Sequence, residues 1–255
     1  MARAERRERG GRSEMGVGRV RTGGGNLHHK VAQDIGARIL KGEFAPGALL
    51  PNEAEWGRAY KVSRTAVREA IKTLAGKGMI QSRPKIGSRV EPRASWNLLD
   101  RDVLAWYGAT VAYGRFAQEV QQIRFMVEPE AAALSSINRT PAQLAEIEKA
   151  YEDMAAAVTE RAWNVADVQF HLAILNASGN ELIIPFGRAV EIMLTKLFVH
   201  TAADADHWSD ALPFHKAIVT ASRDQKPLSA RRAVRRLLTR TQNTIEKAAR
   251  RRAGV

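Results

Sequence analysis

The 255-residue chain contains no cysteine, so neither a disulfide framework nor a thiolate metal site is available, and an intracellular, reducing compartment is expected. No apolar run approaches the ~20 residues of a membrane-spanning helix. The first 26 residues are rich in Arg and Gly but hold no apolar stretch of the kind a secretory signal needs. These absences lead us to expect a cytoplasmic protein with no membrane partner. A glycine-rich phosphate cradle, a nucleophile motif and a general base with its own positioning group are also missing, which argues against an enzyme.

What is present is basic charge, unevenly placed. Net charge is +13, of which residues 1–26 carry +4, 27–93 carry +7 and 225–255 carry +9, while 94–224 carry −7. The first 93 residues are therefore a candidate polyanion-binding unit and the middle is not, which sets a domain boundary near residue 93. With 45% apolar residues the chain can bury two cores. We read residues 1–26 as a disordered basic tail, 27–93 as a DNA-binding domain, 94–106 as a connecting helix or linker, and 107–252 as a helical domain.

The stretch 62–78, VSRTAVREAIKTLAGKG, has the marks of a recognition helix. Ser63 is a good N-cap flanked by the staple pair Val62 and Val67. Val67, Ala70, Ile71 and Leu74 make one apolar stripe, opposite Arg64, Thr65, Arg68 and Lys72, and Gly78 offers a left-handed stop. Upstream, Leu27, Val31, Ile35 and Ile39 mark a helix ending at Gly42, and Asn52 with Glu55 forms a capping box for a short helix carrying Trp56 and Tyr60. Two helices across so tight a turn make a helix-turn-helix. Met79–Ser82 and Arg89–Glu91 read as strands around a basic tip, a wing. Arginines at the start of such a helix can pair bidentately with guanine, which favours Arg64 and Arg68 for specificity, with Lys72, Lys77 and Lys85 holding phosphates.

Residues 50–90 resemble the winged helix-turn-helix of the GntR superfamily of bacterial transcription regulators, most specifically in VSRTAVREAIKTLAGKGMI. The resemblance to its FadR-type members implies DNA contacts from Ser63, Arg64, Thr65 and Arg68 and a wing tip, with Gly87, that enters the minor groove. Two positions depart from the pattern. Ala54 stands where several relatives carry a DNA-contacting arginine, and Lys85 replaces the first wing glycine, offering a phosphate contact instead. WNLLDRDVLAWY, at 96–107, looks like the same segment of galactonate-type sugar-acid regulators; it is too apolar for a flexible linker and is expected to form a short helix docked on the second domain.

From residue 113 helical periodicity dominates and no strand alternation appears, giving helices near 115–138, 141–160, 162–177, 180–200, 208–223 and 228–250. The fold class expected is mainly α: a winged helix-turn-helix joined to an all-α bundle. Asp167 and His171 stand i, i+4, a spacing that also suits an ordinary structural contact. DVQFHLAILNASGN, with His215 in LPFHKAIVTASRD, resembles the FadR C-terminal (FCD) domain, in which an aspartate and three histidines hold a divalent metal beneath an effector pocket. The resemblance places Asp167, His171 and His215 on three of those positions and Leu237 on the fourth, so zinc or a similar ion would keep two imidazoles and a carboxylate. Arg124, in QQIRFMVEPEAAA, matches a family arginine suited to clamp a ligand carboxylate; the alternative is a helix-surface salt bridge with Glu119 or Glu128. Arg231, Arg232, Arg235, Arg236 and Arg240 form the solvated face of a packed last helix, or else add to DNA attraction or a dimer contact.

The expected function is a homodimeric, ligand-responsive repressor of a catabolic operon, binding a palindromic double-stranded operator and released by a small carboxylate such as a sugar acid. Arg124, Asp167, His171 and His215 form its effector site. The alternatives are a metal-dependent hydrolase or isomerase using the Asp/His cluster, and a nucleoid-type DNA packager.

Overall fold

The computed structural model describes residues 24–83, 86–201 and 209–253. The basic tail through residue 23, the wing residue Lys85 and the segment 202–208 lie outside them. The reading head is α1 (Gly24–Leu40), α2 (Glu53–Tyr60), α3 (Arg64–Gly76) and an antiparallel hairpin of β1 (Ile80–Arg83) and β2 (Gly87–Val90). Asn52 accepts from the backbone N–H groups of Ala54 and Glu55, and the Glu55 carboxylate returns to the Asn52 N–H at 2.7 Å, so α2 starts where its capping box dictates. Lys61, in the left-handed region at φ 54°, ends α2, and Ser63 then caps α3 by accepting from the Ala66 N–H. Val67, Ala70, Ile71 and Leu74 are buried against α1, leaving Arg64, Thr65, Arg68 and Lys72 exposed.

The wing pairs further toward its tip than the expected strands, with Arg83 opposite Gly87. Gly87 at φ +104° lets β2 begin directly at the turn. Its outer edge is held from behind by the 47–50 segment, where the Leu50 N–H donates to Ser88 O at 2.8 Å and the Val90 N–H to Ala48 O at 3.0 Å.

The linking segment forms a one-turn 3-10 helix at Arg93–Ser95 and then α4 (Arg101–Thr110), capped by the Asp100 carboxylate. The remaining helices are α5 (Tyr113–Asn138), α6 (Pro141–Ala155), α7 (Glu160–Asn176), α8 (Ile184–Thr201), α9 (Leu212–Arg223) and α10 (Pro227–Ala253). All six expected bundle helices are present, with three boundaries displaced by four or five residues: α6 ends at Ala155, α8 starts at Ile184 and α9 at Leu212. Where periodicity ran from 141 to 160, the chain leaves the helix after Ala155 and restarts at Thr159, whose hydroxyl accepts from the Ala162 N–H. No glycine or proline marks that break. In the bundle α10 packs on α5 and α9, α6 on α7, and α7 on α8, around Ile147, Met154, Phe170, Ile218 and Leu238. No described helix is long and apolar enough to cross a membrane.

The core of the reading head does not stop at the linker. Val103, Leu104 and Trp106 of α4 share one buried cluster with Ile35 of α1, Leu74 of α3, and Ala189 and Met193 of α8. The linking helix therefore docks on both halves rather than only on the second. The close fit requires Gly36: a Cβ there would stand 2.5 Å from the Trp106 ring and 3.3 Å from Leu74. Alanine normally improves a helix interior, but here overpacking outweighs propensity. Gly36→Ala should lower unfolding stability by about 1–3 kcal/mol in a urea titration. An unchanged or raised midpoint would show that the ring yields freely.

Candidate functional site

Two polar constellations stand out, one on the surface of the reading head and one inside the bundle. The first lines a cleft of about 670 Å3 between the start of α2, the exposed face of α3 and the wing, walled by Asn52, Glu53, Arg64, Arg68, Lys72 and Arg83. Three sequence elements converge here because the capped turn fixes α2 against α3 and the hairpin folds back alongside. Ser63 is committed through its hydroxyl to capping. Lys72 pairs with Glu69 at 2.8 Å. Arg64 and Thr65 are exposed at the start of α3, and Gly87 opens β2 on the facing wing. Arg68 forks onto Glu53, Nε donating to Oε1 at 3.0 Å and Nη2 to Oε2 at 2.8 Å. The Arg68 hydrogen bond holds the Glu53 carboxyl below its ordinary range.

Lys77 is a correction to the set of phosphate-holding lysines. Its side chain is 11% exposed, and its ammonium donates to Asp100 at 2.6 Å and lies 2.9 Å from Asp102. Burial opposes ionisation, yet the two carboxylates raise the Lys77 pKa above its usual value. The end of α3 is thus tied to the start of α4. Gly78 reinforces the tie: at φ +71° it turns the chain, and a Cβ would meet Ser95 O at 2.2 Å.

The second constellation joins α5, α7 and α9. Arg124, Glu128, Asp167, His171 and His215 are all buried. Helical spacing puts Arg124 under Glu128 on α5 and Asp167 under His171 on α7, and α9 brings His215 across from them. Arg124 Nε donates to Glu128 Oε1 at 2.6 Å, so the carboxylate this arginine holds is the protein's own, through a buried bridge rather than a helix-surface one. Glu119 pairs instead with Arg115 and accepts from the Tyr107 hydroxyl. Burial works against the Glu128 carboxylate, but Arg124 and His171 beside it, both hydrogen-bonded to it, prevail and hold it at about 2. Asp167 is likewise held low against its burial by His171, His215 and Arg124.

Partner chemistry assigns the imidazole protons. His171 Nδ1 lies 2.9 Å from Glu128 Oε2 and His215 Nδ1 lies 2.9 Å from Ala211 O; both partners only accept, so each Nδ1 donates. The Nε2 atom of each ring faces Asp167. His171 Nε2 receives Arg124 Nη2 at 3.0 Å and stands 3.8 Å from Asp167 Oδ2. His215 Nε2 approaches Asp167 Oδ1 to 3.0 Å, inside ion-pair range, yet it lacks the angle for a hydrogen bond and has no other partner.

Beside its two imidazoles the cluster sets one guanidinium against two carboxylates. The three candidate ligand atoms lie within 4.8 Å of one another, and a tetrahedral shell with ~2.0–2.1 Å bonds needs them about 3.3 Å apart, within reach of small side-chain shifts. Glu128 orients His171 as an outer-shell carboxylate orients a ligand histidine. The donor set therefore fits a divalent ion. Leu237 is buried on α10 at the fourth family position, and the Thr241 hydroxyl is turned to its own backbone, donating to Leu237 O at 3.1 Å, so neither adds a ligand.

Two features escaped sequence reasoning. Glu53 had no pattern to connect it with Arg68, fifteen positions on. Gln121 lies one turn before Arg124, is 2% exposed, and has neither amide atom hydrogen-bonded to a protein group. Gln122, the next residue, faces outward.

Residues 27–90 match the gntR family of bacterial regulatory proteins, and residues 119–240 match the FCD domain. The chain is 35% identical over 199 residues to the uncharacterised HTH-type transcriptional regulator YieP of Escherichia coli K12, covering 77% of this chain and 85% of that protein. It is 31% identical over 210 residues to the galactonate operon transcriptional repressor of the same organism, covering 82% and 92%. The fold is shared with the Listeria monocytogenes regulator Lar at a TM-score of 0.55 and 16% identity, over 88% of this chain and 97% of that one.

Removing one partner of the buried pair separates a structural from a surface role. Glu128→Gln leaves the Arg124 charge uncompensated in the interior and should cost about 3–5 kcal/mol in a guanidinium titration, whereas Arg68→Ala should leave the melting temperature unchanged. Equal, small effects from both substitutions would contradict this assignment.

Proposed function

Because the chain belongs to the gntR family of bacterial regulatory proteins, in the branch that joins its winged helix-turn-helix to an FCD domain, we propose that it represses a catabolic operon and is lifted from a palindromic operator by a small carboxylate, a sugar acid first among them. Membership makes it a DNA-binding transcriptional regulator and not an enzyme, so the Asp/His cluster is read as a binding site. The observation that carries the proposal is that cluster: five charged or titratable side chains gathered in the interior of the bundle. Well-packed apolar residues would give the bundle equal or greater stability, so the cluster is explained by what it binds.

An acid anion suits it. Arg124 keeps its Nη1 edge clear of Glu128, and Gln121 offers a donor and an acceptor to ligand hydroxyls one turn away. Asp167, His171 and His215 would hold the divalent ion, which supplies a Lewis-acidic anchor for a carboxylate oxygen. The galactonate operon repressor among the relatives directs the choice of acid.

On DNA, Arg64, Thr65 and Arg68 face the bases from the start of α3, while Ser63, Lys72, Lys85 and Gly87 serve the backbone and the wing. One such helix reads too few base pairs for an operator, and two copies related by a twofold axis match two half-sites. The signal leaves the cluster through α7, passes to α8 packed on it, then to α4, and reaches the end of α3 through Lys77. A ligand that favours one packing of α8 on α4 thereby changes the spacing of the two reading heads.

The test is a gel-shift titration with the zinc-loaded protein on its operator. Galactonate or a related sugar acid should release the DNA, and His171→Ala should lose both the release and the zinc found by elemental analysis while still binding the operator. Retention of DNA at saturating concentrations of every small acid tried would replace this reading with a constitutive repressor.

A further inference from the structure

The Arg68–Glu53 fork contains more than a surface ion pair. A guanidinium has five N–H donors, and Glu53 engages Nε and one hydrogen of Nη2, the side-on edge. Both Nη1 hydrogens and the outer hydrogen of Nη2 remain. These form the end-on edge, which suits the paired N7 and O6 acceptors of guanine in the major groove. Glu53 is itself well placed to hold still: it is the first residue of α2, directly after the capping Asn52, and the capping box fixes its backbone.

We propose that Glu53 is a positioning residue for sequence reading: it locks the Arg68 guanidinium side-on, so that only the end-on edge is presented and the arginine reads guanine rather than wandering to phosphates. The inference rests on α3 being the DNA-reading helix. Two consequences of opposite sign follow. Without Glu53, an arginine with four rotatable bonds reaches phosphates as readily as bases, so discrimination falls. The cleft meanwhile gains one net positive charge, so binding to any duplex rises and becomes more salt-dependent. Arg64, which also faces Glu53 closely enough to favour its ionised form, would then lie one turn from an uncompensated Arg68.

The experiment begins with selection of the operator by the wild-type full-length protein from a randomised duplex library. Affinities for that operator and for a non-operator duplex are then measured across a salt series for the wild type, Glu53→Gln and Arg68→Ala, with thermal melts as a check on folding. Glu53→Gln should lower the ratio of operator to non-operator affinity about 10-fold, raise non-operator affinity and steepen its salt dependence. A repeat selection with this variant should show loss of guanine preference at the same position that Arg68→Ala erases. If Arg68→Ala erases a guanine preference and Glu53→Gln keeps both the preference and the ratio, the positioning role is overturned while the helix assignment stands. If Arg68→Ala changes no base preference, the reading of Arg68 itself fails. A Glu53→Gln variant that loses preference at a different position would show Glu53 contacting a base directly and would also overturn the proposal. Should Glu53→Gln melt early, Glu53→Ala is carried through the same comparison.

Discussion

The recognition helix is not free at its far end. Lys77, the C-cap of α3, is nearly buried between Asp100 and Asp102 at the entrance to α4, and Gly78 lies too close to Ser95 for any side chain. An ammonium withdrawn from water needs compensating charge and acceptors, and these two carboxylates supply both. The same Asp100 oxygen also caps α4 through the Asp102 and Val103 N–H groups. One short polar knot thus fixes the direction of the DNA-reading helix relative to the helix that leaves for the bundle. Trp106 against Gly36, and α4 against Ala189 and Met193 of α8, extend that fixation through apolar contact. Reading head and linker share one core with the start of α5 and the Ala189–Met193 face of α8.

Charge is handled in opposite ways at the two ends of this arrangement. On α3 the basic groups are exposed, and Glu53 restrains Arg68 in a groove that water and DNA can enter. In the bundle, Arg124, Glu128, Asp167, His171 and His215 are removed from solvent, and their mutual bonds leave His215 Nε2 without a hydrogen-bond partner. A cation, with its carboxylate ligand, would supply that partner. Leu237 alters the balance. With an apolar side chain at the fourth ligand position, the ion would depend more on oxygen from its ligand, which couples metal and effector more closely than a complete protein cage would.

Much of this was legible in the sequence because local rules carried it. Ser63, Asn52 and Glu55 announced their helix starts, Gly78 its stop, and the 3.6-residue stripes their buried faces, since caps and periodicity act within a few residues. The family resemblance in VSRTAVREAIKTLAGKGMI was borne out by membership. What was not legible depended on distance along the chain. Lys77 reads as one more basic residue until Asp100 arrives twenty-three positions later, and Glu53 as a helix-start acid until α3 folds against it. Arg124 looked exposed or ligand-bound because nothing in its own helix shows that α7 covers it. The break at 156–159 was placed a few residues late for the opposite reason: Thr159 makes a cap that carries no glycine or proline signal.

The account's central claim is that the state of the buried cluster is transmitted to α3 through α4. Amide hydrogen exchange on the full-length protein, with and without zinc and galactonate together, tests it directly. Protection should change in α7 and α8, in residues 98–110 of the linking segment, and at Thr73–Met79 where Lys77 is tied. Changes confined to α5, α7 and α9, with the linker and the end of α3 exchanging as before, would contradict it.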